Sequence, residues 1–178
     1  EAYASVLFPL MTLERPGRWE DLLRSNYTKW FSVYLSNLSW LQQELFAADC
    51  AARVLHLFER DRPTDQRPRQ AIIARRLHVD GKVNDNQYGS ALDAAWSAAS
   101  DTKTEAADCA ADAAHREYAW HAAERAAVAM SWANDKYEES REDAEHLWQW
   151  QQLMAYLHNE AVQVPLPALP KKTRTRKA

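Results

Sequence analysis

Between Ala106 and Ala133 alanine recurs so often that it stands on nearly every side of a helical wheel. That run limits the fold more than any other feature. Alanine is the best helix former and glycine among the worst, and the whole chain holds only 3 glycines, Gly17, Gly81 and Gly89. Small side chains let helices approach toward the short end of the usual spacing of about 8–10 Å. Trp96, Trp120, Trp132, Trp148 and Trp150 are then expected to fill the gaps between helices, as aromatics do in cores. The class expected is all-α, an Ala-rich bundle of about six helices with an irregular N-terminus and a disordered basic C-terminal tail.

Scarce glycine also excludes whole classes of chemistry. A dinucleotide or P-loop site needs several glycines close together so that backbone amides can approach a phosphate. A nucleophile elbow needs a Gly-rich turn, and none is present.

Punctuation along the chain divides it further. Pro9, Pro16 and Gly17 interrupt residues 1–18 as an irregular leader, and a single bundle domain is expected over 19–160. A first helix is expected near Trp19, with Asn37 or Ser39 breaking or capping the apolar stripe that follows. Asp49 to Arg60 reads as a helix stopped before Pro63, because the residue before proline is pushed out of the α region. Asp65 can cap the next helix, Pro68 fits its first turn, and Gly81 suits its end. Asn84-Asp85-Asn86 is a turn, and Gln87 to Ser100 a helix. Thr104 to about Lys136 reads as one long helix, broken once at most, and Glu138 to His158 as the last. Pro165, Pro167 and Pro170 end regular structure, so 161–178 is expected to be a linker and tail.

Charge is unevenly spread. Arg53 to Arg76 holds seven arginines against Glu59, Asp61 and Asp65, and Lys171 to Lys177 holds five basic residues and no acid. With a net charge of −3, the rest of the chain carries about −12. Arg53, Arg60, Arg62, Arg67 and Arg69 crowd the junction between two helices. They suit three roles: pairing with Glu59, Asp61 or Asp65 to fix the bend, recognising an acidic protein partner, or binding phosphates. Lys171, Lys172, Arg174, Arg176 and Lys177 offer nucleic acid a second basic segment, although the acidic remainder repels a phosphate backbone.

Other chemistry-bearing residues form incomplete sets. His121 and Glu124 lie one helical turn apart, as do Asp143 and His146. A helical di-metal site requires Glu-x-x-His on two helices and a glutamate on each of two others. Here the first pair is inverted and the second opens on aspartate, so no metal and no cofactor is expected, and a helical metalloprotein built on these edges stands as an alternative reading. His115, Glu117 and His121 can be grouped as acid and base, but spacing alone cannot bring them within reach of a substrate. Cys50 and Cys109 sit in Ala-rich helical contexts that suit free, structural thiols; a nucleophilic role needs a cationic neighbour, for which Arg53 is the one near Cys50.

Cys50-Ala-x-Arg-Val-Leu-x-Leu-Phe-Glu59, followed by Pro63-x-Asp65-x-Arg67-Pro68-Arg69-x-Ala71-Ile72, resembles the immunity-five-like family of bacterial polymorphic toxin systems. The alanine pairs 94–95, 98–99, 122–123 and 126–127 extend the likeness over about residues 50–135. The resemblance implies a cytoplasmic, non-enzymatic α-helical inhibitor, bacterial or phage-encoded, that neutralises a toxin or a host defence component by binding it. It designates no catalytic residue. No apolar run reaches the ~20 residues of a membrane span, so no membrane partner is expected. Residues 1–10 lack the basic start of a signal peptide, and Met11 stands as a candidate native start.

Overall fold

Ser39 opens the first long helix. Its hydroxyl accepts the Gln42 N–H while the Gln42 side chain accepts the Ser39 N–H, which satisfies donors that a helix start otherwise leaves open. The computed structural model describes residues 31–168, except 117, 135 and 137. After a helical segment at 31–35 come α1 (Trp40–Asp61), α2 (Arg67–Val79), α3 (Asp85–Ala99), α4 (Glu105–His115), α5 (Ala119–Ser131) and α6 (Glu139–Leu157). No strand occurs among the described residues, and the fold is all-helical. The leader, the helix start near Trp19 and the basic tail from Lys171 to Lys177 lie outside the described residues.

The punctuation residues act much as expected, with shifts of local cause. Pro68 occupies the first turn of α2, but Gln66 stands at the cap position. Asp65 turns its carboxylate to the Arg67 N–H at 3.0 Å instead. Gly81 takes φ 68°, a left-handed turn that costs glycine nothing. Asn84 and Gln87 form a second reciprocal cap at the start of α3, and the Thr104 hydroxyl caps α4.

The expected long helix from Thr104 is two helices. It breaks at Arg116, whose ψ of 124° turns its carbonyl out of the helical direction. No glycine or proline marks the spot. The cause is tertiary: the buried Arg75 guanidinium donates through Nη2 to that carbonyl.

α1 is the central helix and packs against α2, α4, α5 and α6. Phe46, Val54, Leu55, Leu57 and Phe58 fill its inner face, joined by Ile72, Leu92 and Leu153. α4 and α5 contribute almost only alanine, including Ala106, Ala110, Ala113, Ala122, Ala126 and Ala129, all buried. The expectation that tryptophans fill the gaps needs correction at two positions. Trp132, Trp148 and Trp150 do pack against the core, but Trp96 is 60% exposed and Trp120 39%. Helices faced with alanine close on each other and leave no hole for an indole there.

No helix of the described residues is long and apolar enough to cross a membrane.

Candidate functional site

The junction arginines are drawn into the fold. Arg67 makes a two-pronged pair with Asp65, its Nη2 at 2.6 Å, and reaches Asp101 at 2.6 Å. These bonds hold the Asp65 carboxyl below its ordinary value. Arg62 stands 3.6 Å from Asp61. Arg60 donates to the Ala133 carbonyl at 2.8 Å. Arg69 is buried with Glu59 at 2.6 Å. Thus α1 and α2 are clamped at the bend by acids close to it in sequence, and Arg69 faces inward while Arg53, Arg60, Arg62 and Arg67 keep part of their surface in water.

Arg53 reaches Glu145 at 2.6 Å and lies over the Trp148 ring at 4.5 Å. Glu145 is fully buried, and Gln149 donates to it at 3.3 Å. Burial pushes the Glu145 carboxyl above its ordinary value; Arg53 opposes that shift without cancelling it. A carboxyl whose folded pKa is raised contributes stability below its unfolded pKa and loses it as pH rises through the folded value. Glu145→Gln removes this titration, and the half-exposed Arg53 is left free to rehydrate. The penalty for Glu145→Gln should therefore shrink between pH 4.5 and pH 7.5 in urea denaturation; a penalty that grows over that interval counts against dominance by burial.

A second buried carboxylate organises α1, α2 and α6. Asp49 accepts from Arg76 at 2.9 Å, Gln152 at 2.9 Å, the Tyr156 hydroxyl at 2.7 Å and the Val164 N–H at 3.0 Å. Burial raises its carboxyl despite these four donors. Sequence reasoning missed this residue. Its one visible signal is an acid inside the apolar run Phe46–Phe58.

At the far end, exposed aromatics gather where α3 meets the α4–α5 break. Trp96 stacks on His115 with centroids 5.4 Å apart, and His115 Nδ1 donates to the Leu92 carbonyl at 3.1 Å. His121 sits against Trp120 at 3.7 Å and Tyr118 at 5.8 Å. His121 also lines a cavity of about 260 Å³ with Arg116, Glu124, Arg125 and Val128. Asp112 pairs with Arg116 at 2.6 Å and with Arg125 at 2.8 Å. Two guanidinium groups beside His121 and Glu124 disfavour a bound cation.

The other candidates take plain positions. Cys50 and Cys109 are free and buried. Burial lifts the Cys50 thiol well above its usual value and Cys109 up to about 12. Thiols so raised and so buried do not suit a nucleophile. Among the described residues, donor atoms of Glu105, Asp108 and Cys109 lie within 4.8 Å of one another. Asp143 and His146 stand together on α6, where burial lowers the His146 pKa.

A family model for Imm-5 like putative immunity proteins matches residues 38–156. The chain belongs to that family. The match takes in all of α1 to α5 and nearly all of α6, and so reaches beyond the stretch that carried the resemblance in sequence. No curated protein and no solved structure matches the chain.

Proposed function

We propose that this chain is an immunity-type protein that neutralises a partner protein, a toxin or a defence component, by direct binding rather than by catalysis. The observation that carries this reading is the family match over 38–156. The exposed aromatics suggest where contact is made. Trp, Tyr and Arg are the residue types that dominate binding energy at interfaces. Trp96, Tyr118 and Trp120 are exposed, and His115 stacked on Trp96 and His121 packed against Trp120 and Tyr118 restrain their rings, which lowers the entropy lost on binding. Arg53, Arg60, Arg62 and Arg67 keep part of their surface in water and offer a separate polar contact, while Arg69 acts from within the fold. Residues 31–168 carry 13 basic and 21 acidic side chains, a balance that disfavours nucleic acid. The alternative through Lys171, Lys172, Arg174, Arg176 and Lys177 rests on the tail.

The test is capture from a native extract of the source cells, with the complex then isolated on a sizing column. A stoichiometric protein complex is expected. A Trp96→Ala/Trp120→Ala variant should weaken it by about 2 kcal/mol or more, the scale of an interface hot spot. Repeated failure to form any complex overturns the reading; a complex indifferent to both substitutions moves the contact elsewhere.

A further inference from the structure

Residues 161–168 run without helix or strand along α1, α2 and α6. Ala161, Val164 and Leu166 pack against the core. The polar contacts all go to main chain. Asp49 accepts the Val164 N–H at 3.0 Å, and Arg76 donates to the carbonyl of the same residue at 2.6 Å. Gln152 donates to the Val162 carbonyl at 3.2 Å and Arg69 to the Pro167 carbonyl at 2.7 Å. Three elements of the bundle thus read the backbone of one extended segment at positions −2, 0 and +3 from Val164.

Such recognition tolerates many side chains, because the bonds are to atoms every residue has. The readers are also held by bonds of their own within the bundle. Asp49 and Arg76 pair with each other at 2.9 Å, and Arg69 pairs with the buried Glu59. Proline at 165 and 167 favours the extended conformation the groove accepts. The family match ends at 156, so Asp49, Arg69, Arg76 and Gln152 lie within it and the segment they hold lies beyond.

We propose that this groove is a binding site for an extended, proline-flanked apolar segment of a partner protein, and that residues 161–167 occupy it in cis as a competing strap. The incoming segment must offer a main-chain donor and acceptor at one residue and acceptors two before and three after it. Small or branched apolar side chains at −3, 0 and +2 take the places of Ala161, Val164 and Leu166. This proposal stands apart from the aromatic end and does not depend on it.

The full-length chain carrying Val164→Asp and Leu166→Asp frees the groove without altering any residue that lines it. The probe is a fluorescein-labelled, end-capped peptide with the sequence of residues 160–168, Glu-Ala-Val-Gln-Val-Pro-Leu-Pro-Ala, followed by fluorescence anisotropy. The freed variant should bind it at least about tenfold more tightly than the unaltered chain, in which the tethered strap competes at high effective concentration. A peptide with aspartate in place of its second valine and its leucine should not bind the freed variant. Absence of binding by a freed variant with full helical circular dichroism, equal binding of both peptides, or equal binding by the unaltered chain overturns the proposal. If that variant loses helicity, Pro165→Gly with Pro167→Gly loosens the strap without introducing charge and carries the same comparison. Partner capture through Trp96 and Trp120 is read separately, so either result can fail alone.

Discussion

Replacing Asp49 by alanine is expected to destabilise the protein by about 3–5 kcal/mol, the range for removing one partner of a buried ion pair. The side chain has no exposed surface, and the guanidinium of Arg76 is left without its carboxylate. Tyr156, Gln152 and the Val164 N–H lose an acceptor at the same time. Each buried donor left open adds about 1–3 kcal/mol, although such terms overlap and do not sum. The Asp49→Asn variant provides the informative contrast. Burial raises the Asp49 carboxyl above its ordinary value although four donors face it, and the amide separates what those donors gain from an acceptor oxygen from what Arg76 gains from a charge. An amide in its place keeps one acceptor oxygen and should recover a substantial part of the loss. Urea denaturation of both variants checks this. An alanine variant within about 1 kcal/mol of the unaltered chain, a change typical of minor substitutions, shows that the hub does not hold α1, α2 and α6 together.

That hub marks the boundary of what the residues disclose in order. The all-helical class follows from alanine and from the rarity of glycine. The stops at Pro63 and Gly81 and the break or cap at Ser39 are legible because those signals are local, whereas Asn84 and Thr104, read as a turn residue and a first helical residue, are caps. The pairing of Arg67 with Asp65 and of Arg69 with Glu59 is also visible in sequence, since the partners lie two and ten residues apart. Arg53 with Glu145 and Asp49 with Tyr156 are separated by 92 and 107 residues. No periodicity within one helix can reveal such pairs. Ser39 marks the start of α1, but the helix runs unbroken from Trp40 through Asp49, which lies mid-helix and buried, so the helix read as Asp49 to Arg60 is the second half of a longer one. The exposure of Trp96 and Trp120 is set by how closely the alanine faces of neighbouring helices meet, a property of two helices together. Of the candidate site, the arginine junction was legible as a cluster; its engagement by carbonyls of Ala133 and Pro167 was not.

Arg75→Ala should match the Asp49→Ala variant in size, again about 3–5 kcal/mol. Only 1% of the Arg75 side chain is exposed. It lies 3.5 Å from the buried Glu44 carboxylate, which also accepts from the Tyr88 hydroxyl at 2.6 Å, and it donates to the Arg116 carbonyl that splits α4 from α5. Truncation removes the counter-charge of Glu44, opens a cavity the length of an arginine and orphans that carbonyl. Lysine should not rescue it, because an ammonium cannot span carboxylate and carbonyl as a planar fork does. The decisive comparison is a double-mutant cycle with Arg75→Met and Glu44→Gln. Either change alone strands a buried polar partner. Together they leave a neutral amide still bonded to Tyr88 beside an apolar chain of similar length, so the double variant should be more stable than the sum of the single losses by about 1–3 kcal/mol, the range for directly coupled residues. Strict additivity would mean that Glu44 and Arg75 do not sense each other, and the break at Arg116 would then need a cause other than the demand of a buried guanidinium for an acceptor.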